Sequence, residues 1–175
     1  MKKQIFPFKE YFPQMGERVL ISPGACIIGR VKLGDDVSVF PNVVLRGDIN
    51  SIEIGARTNI QDNTTVHLAD DYGVVVGEDV TIGHNAVVHA CIIEDGCTIG
   101  MGAVIMDGAI IRKKSIVGAG ALVTGKSEFP ENSLILGSPA KFIRKLTPEE
   151  VKGTVDMAGK YVQVKDELIK SFAEE

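Results

Sequence analysis

Aliphatic residues recur at every sixth position over most of this chain, a period that neither an α-helix nor a flat sheet produces. Stepping by six from Ile21 gives Ile27, Leu33, Val39 and Leu45; further runs are Ile54, Ile60, Val66 and Val76, Ile82, Val88. The longest reads Ile93, Ile99, Ile105, Ile111, Val117 and Val123. Four places after these aliphatics stands a small or β-branched residue, as at Ala25, Val31, Val37, Val43, Thr58, Thr64, Val80, Ala86, Cys97, Ala103, Ala109, Ser115 and Ala121. That position also faces inward. A repeat of six is the signature of a parallel β-helix, in which each hexapeptide supplies a short strand and a corner. Gly after many of the aliphatics, at Gly34, Gly55, Gly77, Gly83, Gly100 and Gly118, eases the tight backbone path. Aromatic content of 6% with no Trp suits so narrow a core.

The expected fold is therefore an all-β solenoid over residues 1–145, followed by a C-terminal helix over 146–175 that packs on its side. The register breaks three times: nine residues separate Leu45 from Ile54, ten separate Val66 from Val76, and five separate Val88 from Ile93. Breaks in a rigid coil mark loops, and loops carry function. Leu136-Gly137-Ser138-Pro139-Ala140 closes the coil. Thr147-Pro148-Glu149-Glu150 then offers an N-cap, Pro at the first helical position and Glu at the third. Val151, Val155, Ala158, Val162, Ile169 and Phe172 form the expected apolar stripe of that helix.

Charge narrows the function classes. A net charge of −4 provides no field to attract nucleic acid or an anionic membrane. No apolar run reaches the roughly 18 residues of a membrane span, and the N-terminus lacks a secretory apolar core, so a cytoplasmic protein is expected. Three cysteines without a CxxC pair suggest neither a disulfide framework nor a thiolate metal site.

The three histidines, His67, His84 and His89, fall within 23 residues of one another. Imidazole is the usual neutral nitrogen ligand for zinc, and three of them leave a coordination position open for water. If three hexapeptides make one triangular turn, Leu45, Val66 and Val88 occupy one face in successive turns. Arg46, His67 and His89 each follow by one place and form an outward column at about 4.8 Å spacing. Asp62 and His84 form a second column, two places after Ile60 and Ile82. A neighbouring subunit could bring one column against the other, joining His67 and His89 of one chain to His84 of the next.

The runs Leu45-Arg46-Gly47-Asp48, Asn59-Ile60-Gln61-Asp62, Val66-His67, Ile82-Gly83-His84 and Val88-His89-Ala90-Cys91 resemble the signature of the gamma-class carbonic anhydrase family. The likeness continues through Ile99-Gly100-Met101-Gly102-Ala103 and Gly137-Ser138-Pro139-Ala140-Lys141, and covers residues from about 10 to 165. It implies a left-handed parallel β-helix, a homotrimer, and a metal at each interface, zinc or else iron or cobalt. It also implies metal ligation by His67, His84 and His89, a subunit bridge by Arg46 and Asp48, and placement of Gln61 and Asp62 beside the metal-bound water. Tyr161 stands where the family brings a tyrosine to the site; core packing is its other reading.

The implied activity is reversible hydration of carbon dioxide to bicarbonate by a metal-bound hydroxide. Only sixteen residues separate His67 from His84, and no glutamate there matches the family's proton shuttle, so slow turnover is expected. Two alternatives stay open. One is a hexapeptide-repeat acyltransferase or thioesterase acting on coenzyme A thioesters, for which one interfacial His serves as base. The other is a noncatalytic trimeric scaffold that a closed metal site fastens together.

Overall fold

In the computed structural model, which describes residues 4–173, the chain winds into a parallel β-solenoid with one helix against its side. Its first face is an eight-stranded sheet. The parallel rungs there run from Leu20–Ile21 through Ser38–Val39, Asn59–Ile60, Thr81–Ile82, Thr98–Ile99 and Ile116–Val117 to Ser133–Gly137. Ala140–Lys145 folds back antiparallel on the last of them and ends the coil. The second face stacks Val44–Leu45, Thr65–His67, Val87–His89, Val104–Ile105 and Leu122–Val123. The third stacks Ile52–Ile54, Val74–Val76, Ile92–Ile93, Ile110–Ile111 and Glu128–Phe129.

Both sets of inward positions read from the sequence are solvent-excluded, except that Ile21 is half-buried. Each rung adds an aliphatic to the row below it, so the core is a set of straight columns along the solenoid axis. The glycines earn their places differently from expectation. Gly83 and Gly100 do not have left-handed φ; a Cβ there would lie 2.8 Å from the Met101 amide nitrogen and 2.4 Å from that of Ala119. They are needed because the next turn passes too close for a side chain. The left-handed residue sits two places later, at Asn85 (φ 58°) and Gly102 (φ 67°).

All three register breaks fall at one corner, where the chain passes from the second face to the third. The strand Val44–Ile54 rounds this corner, and its pairing with Cys26–Leu33 slips between Gly29 and Val31 to accommodate the extra residues. The other breaks lie between the rungs Thr65–His67 and Val74–Val76, and between Val87–His89 and Ile92–Ile93.

The helix spans Pro148–Ala173 and begins with a reciprocal capping box. The Glu150 amide donates to Thr147 Oγ1 at 3.2 Å, and the Thr147 amide donates to Glu150 Oε2 at 2.8 Å. Arg144 donates to the same carboxylate, and these contacts hold the Glu150 pKa down at about 2. The expected stripe is corrected in part: Val155 and Phe172 are exposed, while Thr154, Ala158 and Lys165 are buried against the first face. Tyr161 meets Phe40 edge-on with ring centroids 5.7 Å apart. Hydropathy alone missed a face whose anchor is a lysine. Lys165 is wholly buried and donates to Asp36 Oδ1 at 2.8 Å and to the Arg18 carbonyl at 3.1 Å. Burial opposes its charge, yet hydrogen bonds to Asp166 and Asp36 outweigh burial and raise its pKa. Arg18 and Lys165 together hold the Asp36 carboxyl well below the usual carboxylate range. Among the described residues, no helix is long and apolar enough to cross a membrane.

Three expectations come from this packing. Lys165→Met keeps the buried stem and removes the charge-assisted bonds, so it should lower unfolding free energy by about 1.5–3 kcal/mol in denaturant titrations. Because folding depresses the Asp36 pKa, its contribution is complete above roughly pH 3.9 and fades as pH falls toward the folded value. Asp36→Asn should therefore flatten the acid limb of the stability profile. Burial pushes the Cys91 and Cys97 thiols up to about 12, so a native thiol titration should find at most the half-buried Cys26 reactive until the protein unfolds.

Candidate metal centre

The corner that absorbs the register breaks is also where Arg46, Asp48, His67 and His89 project. His67 and His89 are direct partners on adjacent rungs, as Val66 and Val88 are. Four side chains form a string along the solenoid axis. Asp48 Oδ1 lies 3.0 Å from His67 Nε2, His67 Nδ1 lies 3.2 Å from His89 Nε2, and His89 Nδ1 lies 2.6 Å from Asp107 Oδ1. The guanidinium of Arg46 donates to the other oxygen of Asp48. Burial works to raise the Asp48 carboxyl, but hydrogen bonds from His67, Arg46 and the Ile49 amide prevail and lower it.

An ionised carboxylate only accepts, so each imidazole in the string turns an N–H toward its aspartate. In a neutral ring that geometry favours the proton on Nε2 of His67 and on Nδ1 of His89. With the protons so placed, the two nitrogens that face each other, His67 Nδ1 and His89 Nε2, would both present lone pairs. Two imidazole nitrogens bound tetrahedrally at 2.0–2.1 Å from one zinc ion are about 3.3 Å apart. The observed 3.2 Å separation fits that requirement. The donor chemistry fits as well, since neutral imidazoles oriented by carboxylates are a recurrent metal-ligand arrangement.

His84 stands at the other end of the second face, at the corner leading from the first. Its Nδ1 lies 2.9 Å from Asp62 Oδ2, and both side chains are substantially exposed. Among the described residues of this single chain, no three His, Cys, Asp or Glu side chains converge as a metal-binding group. His84 therefore does not join His67 and His89 within one subunit. Gln61 is buried beside Asp62, and its Nε2 donates to Asn59 Oδ1 at 3.2 Å. Asn59 Nδ2 in turn donates to Thr81 Oγ1 at 2.9 Å. This relay fixes the amide of Gln61 so that Oε1 remains its available acceptor. Tyr161, half-buried, packs edge-on against Phe40 where the helix meets the solenoid.

Three features escaped the periodicity argument. Asp107 lies two places after Ile105, the residue stacked on Val88, so aligning the sequence by turns would have set it beside His89. Asn59 stands next to the inward Ile60 yet is wholly buried, and a hexad count says nothing of its amide bonds. The third is an outward apolar strip on the second face, Val44, Val87, Val104 and Leu122, interrupted only by Thr65. Its signal is the aliphatic doublet, as in Val87-Val88 and Val104-Ile105: an inward residue preceded by an outward one. The strip lies between the His84 corner and the His67–His89 corner, so the face bearing all three histidines is one that water solvates poorly.

Comparison with known proteins places the chain among hexapeptide-repeat proteins. Residues 90–125 match the family model described as bacterial transferase hexapeptide (six repeats), and residues 73–106 match the hexapeptide repeat of succinyl-transferase. The chain is 43% identical to protein YrdA of Escherichia coli, over 97% of this chain and 96% of that protein. It is 40% identical to gamma carbonic anhydrase 2, mitochondrial, of Arabidopsis thaliana, over 87% of this chain and 57% of that one. With the carbonic anhydrase of Geobacillus kaustophilus it shares 34% identity, over 91% of this chain and 87% of that protein. A solved Bacillus cereus structure, named as a candidate acetyltransferase, superposes with a TM-score of 0.91 at 38% identity, covering 93% of this chain and 94% of that one.

The amide relay predicts a measurable cost when it is cut. Asn59→Ala leaves Thr81 Oγ1 and the Gln61 amide without their buried partner, and should lower unfolding free energy by about 1–3 kcal/mol in urea titrations.

Proposed function

Because this chain belongs to the gamma-class carbonic anhydrase family, we propose that it is a metal-dependent lyase interconverting carbon dioxide and bicarbonate, with each metal held between subunits of a homotrimer. The observation that carries this reading is the pair of imidazole nitrogens that face each other 3.2 Å apart, each ring backed by a carboxylate on its far side. Zinc is the first choice of metal, and iron or cobalt suits the same donors. A divalent metal supplies Lewis acidity that makes water a nucleophile near neutral pH; carbonic anhydrase is the standard illustration of that effect.

The residues of this chain divide the remaining work. His67 and His89 of one subunit, with His84 of the next, would hold the metal. Asp62 accepts from His84 Nδ1–H and leaves Nε2 of that ring to face the partner. Gln61, held through Asn59, offers Oε1 to accept a hydrogen bond from the attacking water and so would orient it. Arg46 and Asp48 set the register between subunits while Asp48 also holds the Nε2 proton of His67. The apolar strip of the second face supports trimer closure, since a second copy would remove Val87, Val104 and Leu122 from water and bring opposite columns together. The reading of 1–145 as the solenoid unit and 146–175 as an accessory helix fits this scheme, because every proposed ligand precedes residue 90.

An acyltransferase would need one histidine and a coenzyme A groove; the likeness to the Bacillus cereus structure keeps it as the competing reading. Saturable binding of acetyl-coenzyme A by the metal-loaded protein would favour it. The discriminating experiment is subunit mixing. His67→Ala and His84→Ala should each abolish metal binding and hydration activity while light scattering still returns a trimer. After exchange in equal amounts, about one interface in four pairs an intact His67 and His89 with an intact His84, and metal content and activity should return to that extent. No recovery after verified exchange would refute the shared site.

A further inference from the structure

Asp48 and Asp107 bracket the histidine pair, but they are held in different ways. Asp48 is gripped by Arg46 and the Ile49 amide as well as by His67. Asp107 is placed by its backbone alone: its carbonyl accepts from the Lys126 amide at 2.9 Å, and its carboxylate is about half exposed. Its side chain makes a 2.6 Å contact with His89 Nδ1 and no ion pair with a basic side chain other than that histidine among the described residues. The carboxylate is thus committed to a single ring.

That commitment decides which nitrogen of His89 is available. A neutral imidazole has one N–H. With the proton on Nε2, His89 would donate across the 3.2 Å gap to His67 Nδ1 and close the pair into an N–H···N hydrogen bond. No cation could enter such a pair without first displacing the proton. With the proton on Nδ1, donated to Asp107, the gap holds two lone pairs and is receptive.

We infer that Asp107 is a positioning residue, which keeps the His89 proton on Nδ1 and thereby holds the His67–His89 pair open for a divalent metal. The inference rests on the metal-site reading above, and it assigns a role to the turn that follows the histidines. That turn contributes no ligand. Asp107 reaches back one rung from the corner between Val104–Ile105 and Ile110–Ile111, where the six-residue spacing is unbroken and the backbone is regular.

The test exploits a protein with only three histidines. Full-length protein labelled with 15N-histidine and stripped of metal gives three ring systems, whose tautomers are read from long-range proton–nitrogen spectra. The wild type should show His89 protonated on Nδ1. In Asp107→Ala, His89 should shift toward the Nε2-protonated form, with His84 unchanged. Zinc affinity, measured by competition with a chromophoric chelator, should fall about 10–100-fold. Asp107→Asn retains an acceptor oxygen and should fall between the two. Thermal unfolding by circular dichroism should change little in both variants, since the side chain is about half exposed and bonds to the partly exposed His89. If tautomer and affinity were unchanged in both variants while His89→Ala lost zinc, the role of Asp107 would be overturned and the metal site would stand. If His89→Ala bound zinc as well as wild type, the metal-site reading would fall, and the inference with it.

Discussion

Everything in this molecule depends on the stacking of one turn upon the next at the spacing of neighbouring parallel strands. Each rung is only two or three residues long on most faces, so no rung is stable alone. Stability comes from continuous columns: Ile60 on Val39, Ile82 on Ile60, Ile99 on Ile82, Val117 on Ile99. The same stacking imposes exclusions. Where a turn passes close overhead, as at Gly83 and Gly100, a β-carbon has no room. Where the chain turns a corner, one residue must be left-handed, and Asn or Asp at Asp36, Asn42, Asn63, Asp79 and Asn85 meets that need.

Strict stacking also turns sequence register into chemistry. A hexad fixes which side chains project at each corner, and one rung's spacing brings equivalent residues within hydrogen-bond reach of one another. Successive turns contribute Asp48, His67, His89 and Asp107 to one corner, each about a turn beyond the last. The nine-, ten- and five-residue departures from the hexad all fall at that corner, where the chain gains or loses residues without disturbing the core. A rigid scaffold thus carries its variation where its polar groups gather. The resulting string of carboxylate, imidazole, imidazole and carboxylate is electrostatically incomplete. Its outer ends are carboxylates, and at its centre two ring nitrogens face each other 3.2 Å apart.

Much of this was legible in the sequence because a hexad is local. The inward positions, the faces and the columns of His67 with His89 and Asp62 with His84 follow from counting. What counting missed was set by contacts remote in sequence or by groups whose role depends on a partner. Lys165 reads as a solvated lysine until Asp36, 129 residues earlier, is seen beneath it. Val155 and Phe172 read as core residues, but the helix rotates to place Thr154 and Lys165 on the solenoid beside the expected Ala158. The parts played by Asp107 and Asn59 do not show in a hexad count, because hydropathy does not record whose proton a side chain accepts.

The central claim is that the facing lone pairs of His67 and His89 are two-thirds of a metal site that a second subunit completes through His84. Anomalous diffraction at the zinc absorption edge, on crystals of the zinc-loaded protein, tests it most directly. The account predicts one peak per chain, lying between His67 and His89 of one subunit and within coordination distance of His84 of its neighbour. A peak bound by residues of a single chain, or one remote from His67 and His89, would contradict it.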